Sequence, residues 1–344
     1  MQLSEDMPFR AMRKTWQPVG LSRDLPVGQV LRYTLLDEEL AVARFEDGLL
    51  ATRDACPHKG MRLSCAYMER GELVCAYHGW RFARDGRCTG VPSLPDPPRH
   101  LLDRASLDTF AVRERYGIIW VRLDDEEAAP LPDIPEFEGH DGWQYLVAEP
   151  MPFRCGFRRE IENYLDMTHF AFAHRTTLGA AADTVLPELK ITRLADGFQM
   201  EAPFPAVRTP GVTPSKLQRA HFRRQRCYLP NFTTIRQTFE DGDERMLVHI
   251  PSPNTRETCT VFWALAQPEG FRGPRLEEQL AFSTKVLEED RYMCENQVPR
   301  EVPINPARGG WGVLVAPGDT LANTFQKAFR RFVLEALAEE EAAA

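Results

Sequence analysis

Cys56-Pro57-His58 and Cys75-Ala76-Tyr77-His78, separated by sixteen residues, decide how this 344-residue chain is read. Each motif brings one thiol and one imidazole to a short segment. Two thiolates and two imidazoles in matched pairs suit a [2Fe–2S] centre in which histidines replace cysteines on one iron, raising its potential above that of an all-cysteine cluster. A structural zinc site draws on the same residue types, and spacing separates the two only in part. The symmetry of the pair favours the cluster, because the cysteines can take the inner iron and the histidines the outer one.

The flanking text is that of short strands and turns. Val30–Leu35, Leu40–Phe45, Glu72–Cys75 and Tyr116–Val121 are strand-like, and Glu46-Asp47-Gly48 and Asp85-Gly86 supply turn chemistry. An all-β domain is expected over residues 1–130, with both motifs at strand-to-loop transitions. The Pro-rich, acidic text around Ala129-Pro130-Leu131-Pro132-Asp133-Ile134-Pro135 reads as a connector, residues 131–150. Residues 151–344 alternate helical text (Arg159–Arg175, Leu276–Glu295, Thr320–Ala342) with strand-like text (Leu189–Arg193, Phe232–Phe239, Met246–Ile250, Cys259–Leu265). An antiparallel sheet with helices on one face follows. Thr176–Leu186 reads as a mobile loop, and the terminal Glu-Glu-Glu-Ala-Ala-Ala as frayed.

Asp166-Met167-Thr168-His169, with His174 five residues on, forms a second ligand pattern. Two histidines and a carboxylate leave positions open on iron, as non-heme Fe(II) oxygenases require. Asp166 and His169 are three apart and share a helix face. His174 is harder to place, since five residues advance an ideal helix by about 140°. Either the helix is distorted, with a π-type bulge as one candidate, or the pair lies at a helix end.

A net charge of −8 and a pI near 5.6 give no reason to expect a nucleic-acid partner. The acidic start Met1-Gln2-Leu3-Ser4-Glu5-Asp6 lacks a signal-peptide pattern, and no run approaches the ~18 apolar residues of a spanning helix, so a cytoplasmic protein with no membrane partner is expected. Cys155, Cys227, Cys259 and Cys294 read as scattered reduced thiols, and Cys65 and Cys88 lack a paired histidine. Phe204, Phe222, Phe232, Phe239, Phe262 and Trp263 are read as core ahead of substrate pocket, and none is taken as a site residue.

Cys56-Pro57-His58-Lys59-Gly60 and Cys75-Ala76-Tyr77-His78-Gly79-Trp80-Arg81-Phe82 resemble the Rieske motifs of aromatic-ring-hydroxylating oxygenases. Respiratory Rieske proteins carry an extra cysteine in each motif, where this chain has Met61 and Tyr77. The resemblance implies the lower-potential type fed by a soluble reductase. Trp80 is read as a shield for the cluster and Arg81 as solvated surface. Glu162 to His174 resembles the iron-binding helix of the same family, which implies that His169 and His174 are ligands. In that family the residue matching Asp166 bridges a cluster histidine of one subunit and an iron-bound histidine of the next, here His78 and His169, and Asn163 matches a site-lining position. The third ligand is expected at Asp290, with Glu289 as the alternative, although Glu288-Glu289-Asp290 also reads as a solvated acidic face.

The resemblance extends from Trp16 to the last helix, and the fold it implies is α+β: an all-β Rieske [2Fe–2S] domain followed by a helix-grip α/β catalytic domain. It implies membership of the single-subunit-type branch that includes vanillate, dicamba and caffeine-type demethylases. The expected activity is O₂-dependent hydroxylation, or O- or N-demethylation, of an aromatic or heterocyclic small molecule. A cis-dihydroxylating dioxygenase is the competing activity, and an electron carrier with a vestigial second site the competing class. Cofactors implied are the [2Fe–2S] cluster and a mononuclear Fe(II). No flavin- or nicotinamide-binding glycine motif is present, so NAD(P)H acts through a separate reductase or ferredoxin. A homotrimer is the family expectation.

Overall fold

In the computed structural model, which describes residues 3–139, 142–179, 187–203, 220–305 and 316–338, the chain divides into two units. One is Arg13–Pro130; the other joins Met1–Met12 to Leu131–Ala344. The N-terminal segment, which contains most of helix α1 (Met7–Arg13), was expected with the β domain and instead groups with the second unit.

The first unit is built from antiparallel pairs. Strands β1 (Gln17–Leu21), β2 (Val30–Leu35), β3 (Glu38–Phe45), β4 (Gly48–Arg53), β9 (Thr109–Arg115) and β10 (Ile118–Arg122) form a sheet in the order β1-β10-β9-β4-β3-β2. A smaller sheet, β5 (Tyr67–Glu69), β6 (Glu72–Val74), β7 (Arg81–Phe82) and β8 (Cys88–Gly90), carries the two cysteine–histidine loops, and a short helix α2 (Arg99–Arg104) follows it. Three hairpins close with two residues at positive φ: Leu36-Asp37, Arg70-Gly71 and Tyr116-Gly117. That geometry matches the right-handed twist of the flanking strands. Tyr116, expected inside a strand, is a turn residue, since the β10 ladder begins at Ile118.

In the second unit, strands β11 (Trp143–Val147), β12 (Met151–Phe153), β13 (Lys190–Leu194), β14 (Gly197–Ala202), β15 (Ala220–Tyr228), β16 (Phe232–Phe239), β17 (Glu244–Thr255) and β18 (Thr258–Pro268) form one antiparallel sheet. Its order is β11-β18-β17-β16-β15-β14-β13, and β12 pairs with a second stretch of β18. The expected connector is therefore partly strand: Trp143-Gln144-Tyr145-Leu146-Val147 is rich in aromatic and aliphatic residues suited to a strand and pairs with Pro268–Ala264. β14 and β15 were not anticipated. β15 carries three Arg and one Gln, and of these Arg223 and Gln225 are buried.

Helix α3 (Phe157–Leu165) packs against β17, β18 and the helices α5 (Leu276–Glu295) and α6 (Thr320–Ala336). Phe325, Phe329, Phe332 and Val333 form the buried stripe of α6, and Phe157 meets Phe329 at 5.7 Å between ring centres. Of the six aromatics considered in the sequence, Phe232, Phe239, Phe262 and Trp263 are buried in the sheet; Phe204 lies outside the described residues, as do 180–186 of the expected loop and the acidic tail. The thiols are free, but three of the four distant ones are not scattered: Cys155 exchanges hydrogen bonds with Cys259 and Cys294.

Candidate metal centres

The two cluster motifs fold into the same loop twice. Cys56 N–H donates to Met61 O at 2.8 Å and Gly60 N–H to Cys56 O at 2.9 Å; Cys75 N–H donates to Trp80 O and Gly79 N–H to Cys75 O, both at 2.9 Å. Gly60 and Gly79 have φ of 68° and 70°. Each loop thus turns through a glycine in the left-handed region, which favours a residue without Cβ. Asp54 anchors the first loop, accepting from Ser64 N–H at 2.6 Å and Ser64 Oγ–H at 2.7 Å.

These loops sort the four candidate ligands by chemistry. Cys56 and Cys75 are each 2% exposed within an apolar cluster that includes Leu63, Leu73 and Phe82. The thiols neighbour each other, and burial pushes Cys56 up to about 11, so a positive centre is needed to hold it as thiolate. His58 and His78 face outward, their rings 4.5 Å apart. Nδ1 of His58 is a buried atom with no protein hydrogen-bond partner, and desolvation and the neighbouring His78 lower its pKa. Thiol beside thiol and imidazole beside imidazole is the arrangement a cluster with one Cys₂ and one His₂ iron requires. Trp80 is buried and stacks on His58 at 4.5 Å and 6°, whereas Tyr77 is 63% exposed with its ring 3.8 Å from His78. Arg81, read as solvated, is ion-paired to Glu69 and Glu72. Cys65 is exposed, and Cys88 Sγ lies 3.8 Å from Gly90 O.

In the second unit the helical stretch breaks where the histidines are. α3 ends at Leu165, Asp166 is extended (φ −77°, ψ 129°), and His169 and His174 bracket the single turn α4 (Phe170–Ala173). A π-helical turn, Arg175–Gly179, follows. The break answers the 140° problem: the two imidazoles flank one turn and converge. His169 Nε2 and His174 Nε2 are 3.1 Å apart, and Asp290 Oδ1 lies 3.4 Å from the first and 3.1 Å from the second. Among the described residues, His169, His174 and Asp290 form the group of at least three such side chains able to hold one ion. A first-row dication about 2.1 Å from each donor would subtend roughly 95–110° between them, so the donors occupy one face and leave the opposite one open.

Helix geometry explains the acidic run on α5. Successive residues are rotated by about 100°, so Glu288 is exposed, Glu289 reaches the back of His174, and Asp290, 8% exposed, reaches the front. Glu289 Oε2 accepts from His174 Nδ1 at 2.9 Å and from Thr177 Oγ1 at 2.6 Å, and its Oε1 accepts from Thr176 at 2.5 Å. Glu289 therefore lies outside the donor triangle, which His169, His174 and Asp290 form.

The remaining partners shape the charge. Burial works to raise Asp290, but the bonds to His169 and His174 and one from Asn163 Nδ2 (2.8 Å) hold its carboxyl well below the usual range. Desolvation opposes a charged His169, yet the carboxylates of Asp166 and Asp290 raise it to about 9. The carboxylates make the centre one that favours positive charge. Asp166 Oδ1 accepts from Thr168 N–H and Oγ1–H, both at 2.6 Å, which leaves Oδ2 3.4 Å from His169 Nδ1. Nothing in the sequence flagged the buried pair Glu160 and His249, 2.5 Å apart, on which Tyr164 stacks at 3.8 Å. A single carboxylate on the apolar side of α3 was the available signal.

Known proteins share both halves. The Rieske [2Fe-2S] domain family matches residues 15–111, and the vanillate O-demethylase oxygenase C-terminal domain family matches residues 153–339. The methylxanthine N3-demethylase NdmB of Pseudomonas putida is 28% identical over 351 residues, 99% of this chain and 94% of that protein. The oxidoreductase NdmD of the same organism is 38% identical over 118 residues, 34% of this chain and 20% of NdmD. Among solved structures, Pseudomonas putida CBB5 NdmA with caffeine superimposes with a TM-score of 0.82 at 25% identity, covering 97% of this chain and 94% of NdmA. No helix of the described residues is long and apolar enough to cross a membrane.

Proposed function

The chain belongs to the Rieske oxygenases with a vanillate O-demethylase-type catalytic domain, and on that footing we propose that it is the terminal oxygenase of a system with a separate reductase. It hydroxylates a C–H bond of an aromatic or heterocyclic small molecule. Where the carbon is a methyl on O or N, the hydroxylated product collapses: the X–C bond breaks, the heteroatom takes the proton, and formaldehyde leaves. Two electrons and two protons balance the reaction, with one O₂ atom in formaldehyde and the other in water.

The observation that carries this reading is the convergence of His169 Nε2, His174 Nε2 and Asp290 Oδ1 on one face of a point. Bound there, a mononuclear iron supplies the open positions at which O₂ is reduced, and the cluster supplies electrons singly. Cys56, His58, Cys75 and His78 hold the cluster. Asn163 orients the Asp290 carboxylate, and the burial of His174 and Asp290 keeps bulk water from the closed side of the site. Asp166 is the bridge by which an electron crosses to His169 from His78 of a neighbouring copy. Its partly exposed carboxylate, already turned toward His169, supports that role. A closed ring of three copies satisfies the geometry of such a head-to-tail relay. Eight free cysteines suit a reducing cytoplasm.

A panel of N-methyl heterocycles and methoxylated aromatic acids, supplied with NADH and an NdmD-type reductase, tests the proposal. Formaldehyde release with one atom of ¹⁸O₂ in the product is expected. Both atoms in a cis-diol would move the chain to the dioxygenases, and no substrate-dependent O₂ uptake with only two irons per chain would make it a carrier.

A further inference from the structure

Glu289 was weighed as a ligand and lies outside the donor triangle, yet it is firmly held. Both its carboxylate oxygens are engaged by three donors from one short segment: His174 Nδ1, Thr176 Oγ1 and Thr177 Oγ1. Thr177 is bound to His174 a second time, its N–H donating to His174 O at 3.1 Å. The segment runs from His174 into the π-helical turn Arg175–Gly179, whose wider winding places two consecutive threonines beside one glutamate of α5.

We propose that Glu289 is a positioning residue that makes metal binding at His174 and the ordering of the turn Arg175–Gly179 a single event. The inference rests on His174 being an iron ligand. By accepting the Nδ1 proton, Glu289 fixes the tautomer in which the Nε2 lone pair faces His169 and Asp290, and it makes that nitrogen a better donor. The two threonine hydroxyls hold the carboxylate in the plane where this bond can form. Metal at Nε2 strengthens the Nδ1–H···Glu289 bond, which tightens the threonine clamp. By reciprocity, ordering the turn strengthens metal binding by the same factor by which bound metal favours the ordered turn. Asp166 does not duplicate the device: it lies 3.4 Å from His169 Nδ1 and takes its own bonds from Thr168, outside this turn.

The test measures Fe(II) affinity of the full chain by competition with a calibrated chelator, with circular dichroism and cooperative thermal unfolding of the chain as the check that each variant is folded. Glu289→Ala is expected to weaken Fe(II) about 10- to 100-fold. Glu289→Gln keeps an acceptor for Nδ1–H without the charge and should recover part of the loss. Thr176→Val with Thr177→Val should also weaken binding, but add nothing in the Glu289→Ala background, because the threonines act through the glutamate. Hydrogen exchange of the 175–179 amides should slow when Fe(II) is added to the wild type and not to Glu289→Ala. Wild-type affinity in Glu289→Ala, additive threonine effects, or equal exchange protection in both proteins would overturn the proposal. His174→Ala separates the premise: if it leaves Fe(II) affinity unchanged, the ligand assignment itself has failed.

Discussion

Adding one methyl group at each of the two cluster glycines tests the twin-loop geometry. Gly60 and Gly79 share the same left-handed conformation, so alanine costs both loops a similar backbone strain of about 1–2 kcal/mol, partly offset by the lower entropy of the unfolded chain. A net cost of about 1 kcal/mol remains for Gly60→Ala, whose added Cβ meets nothing within 4 Å. At Gly79 the same Cβ meets Pro92 Cγ at 3.1 Å, and a proline ring yields little, so overpacking adds about 1–3 kcal/mol. With a urea slope of about 2 kcal/mol per M for a domain of this size, the midpoint should fall by roughly 0.5 M for Gly60→Ala and roughly 1–2 M for Gly79→Ala. The assay is urea unfolding of the holoprotein followed through the visible absorption of the cluster. Equal shifts, or a larger one at Gly60, would refute the reasoning, because sequence symmetry alone predicts equality and only the packing of the second loop distinguishes the two.

Other consequences concern the metals and their connection. Asp290→Ala removes one of three donors and a buried negative charge, a loss of about 3–5 kcal/mol, so mononuclear Fe(II) should bind roughly a hundred- to several-thousand-fold more weakly while the cluster spectrum is unchanged; chelator competition reads this, and full affinity would remove Asp290 as a ligand. Asp166→Asn should keep both metals and lose most of its turnover, measured as O₂ uptake against iron content, whereas loss of mononuclear iron as the main effect would make Asp166 a ligand. Cys56→Ser or Cys75→Ser should abolish the visible absorption and EPR signal of the cluster and leave mononuclear iron in place, since the sites lie in separate units; a retained cluster in both variants would sink the assignment. Mixing His78→Ala with His169→Ala chains should restore part of the activity after co-assembly, and none in verified mixed oligomers would count against transfer between copies.

What the sequence disclosed followed from how local each feature is. The four proposed cluster ligands sit in two short motifs, and the paired loops that present them need only neighbouring residues. The His169–His174 spacing told of a break in the helix but not its form; the one-turn helix and the π-helical turn after it depend on contacts with α5, far along the chain. Asp290 was picked out by the family resemblance, whereas composition alone reads Glu288-Glu289-Asp290 as a solvated run because it ignores rotation about the helix axis. β15 escaped notice because its inward positions are Arg223 and Gln225, polar groups whose burial depends on tertiary partners. Trp143–Val147 was masked by the prolines before it, and Tyr116 by its own strand propensity, which the turn overrides.

Every role proposed for these residues requires that this chain carry a cluster and a separate, open-faced iron. Iron and acid-labile sulfide analysis of the purified chain, combined with EPR of the reduced protein before and after nitric oxide, tests it most directly. About three irons and two sulfides per chain are predicted, with a low-field signal on nitric oxide addition that is absent in His174→Ala while the cluster signal persists. Two irons per chain and no response to nitric oxide would contradict the claim.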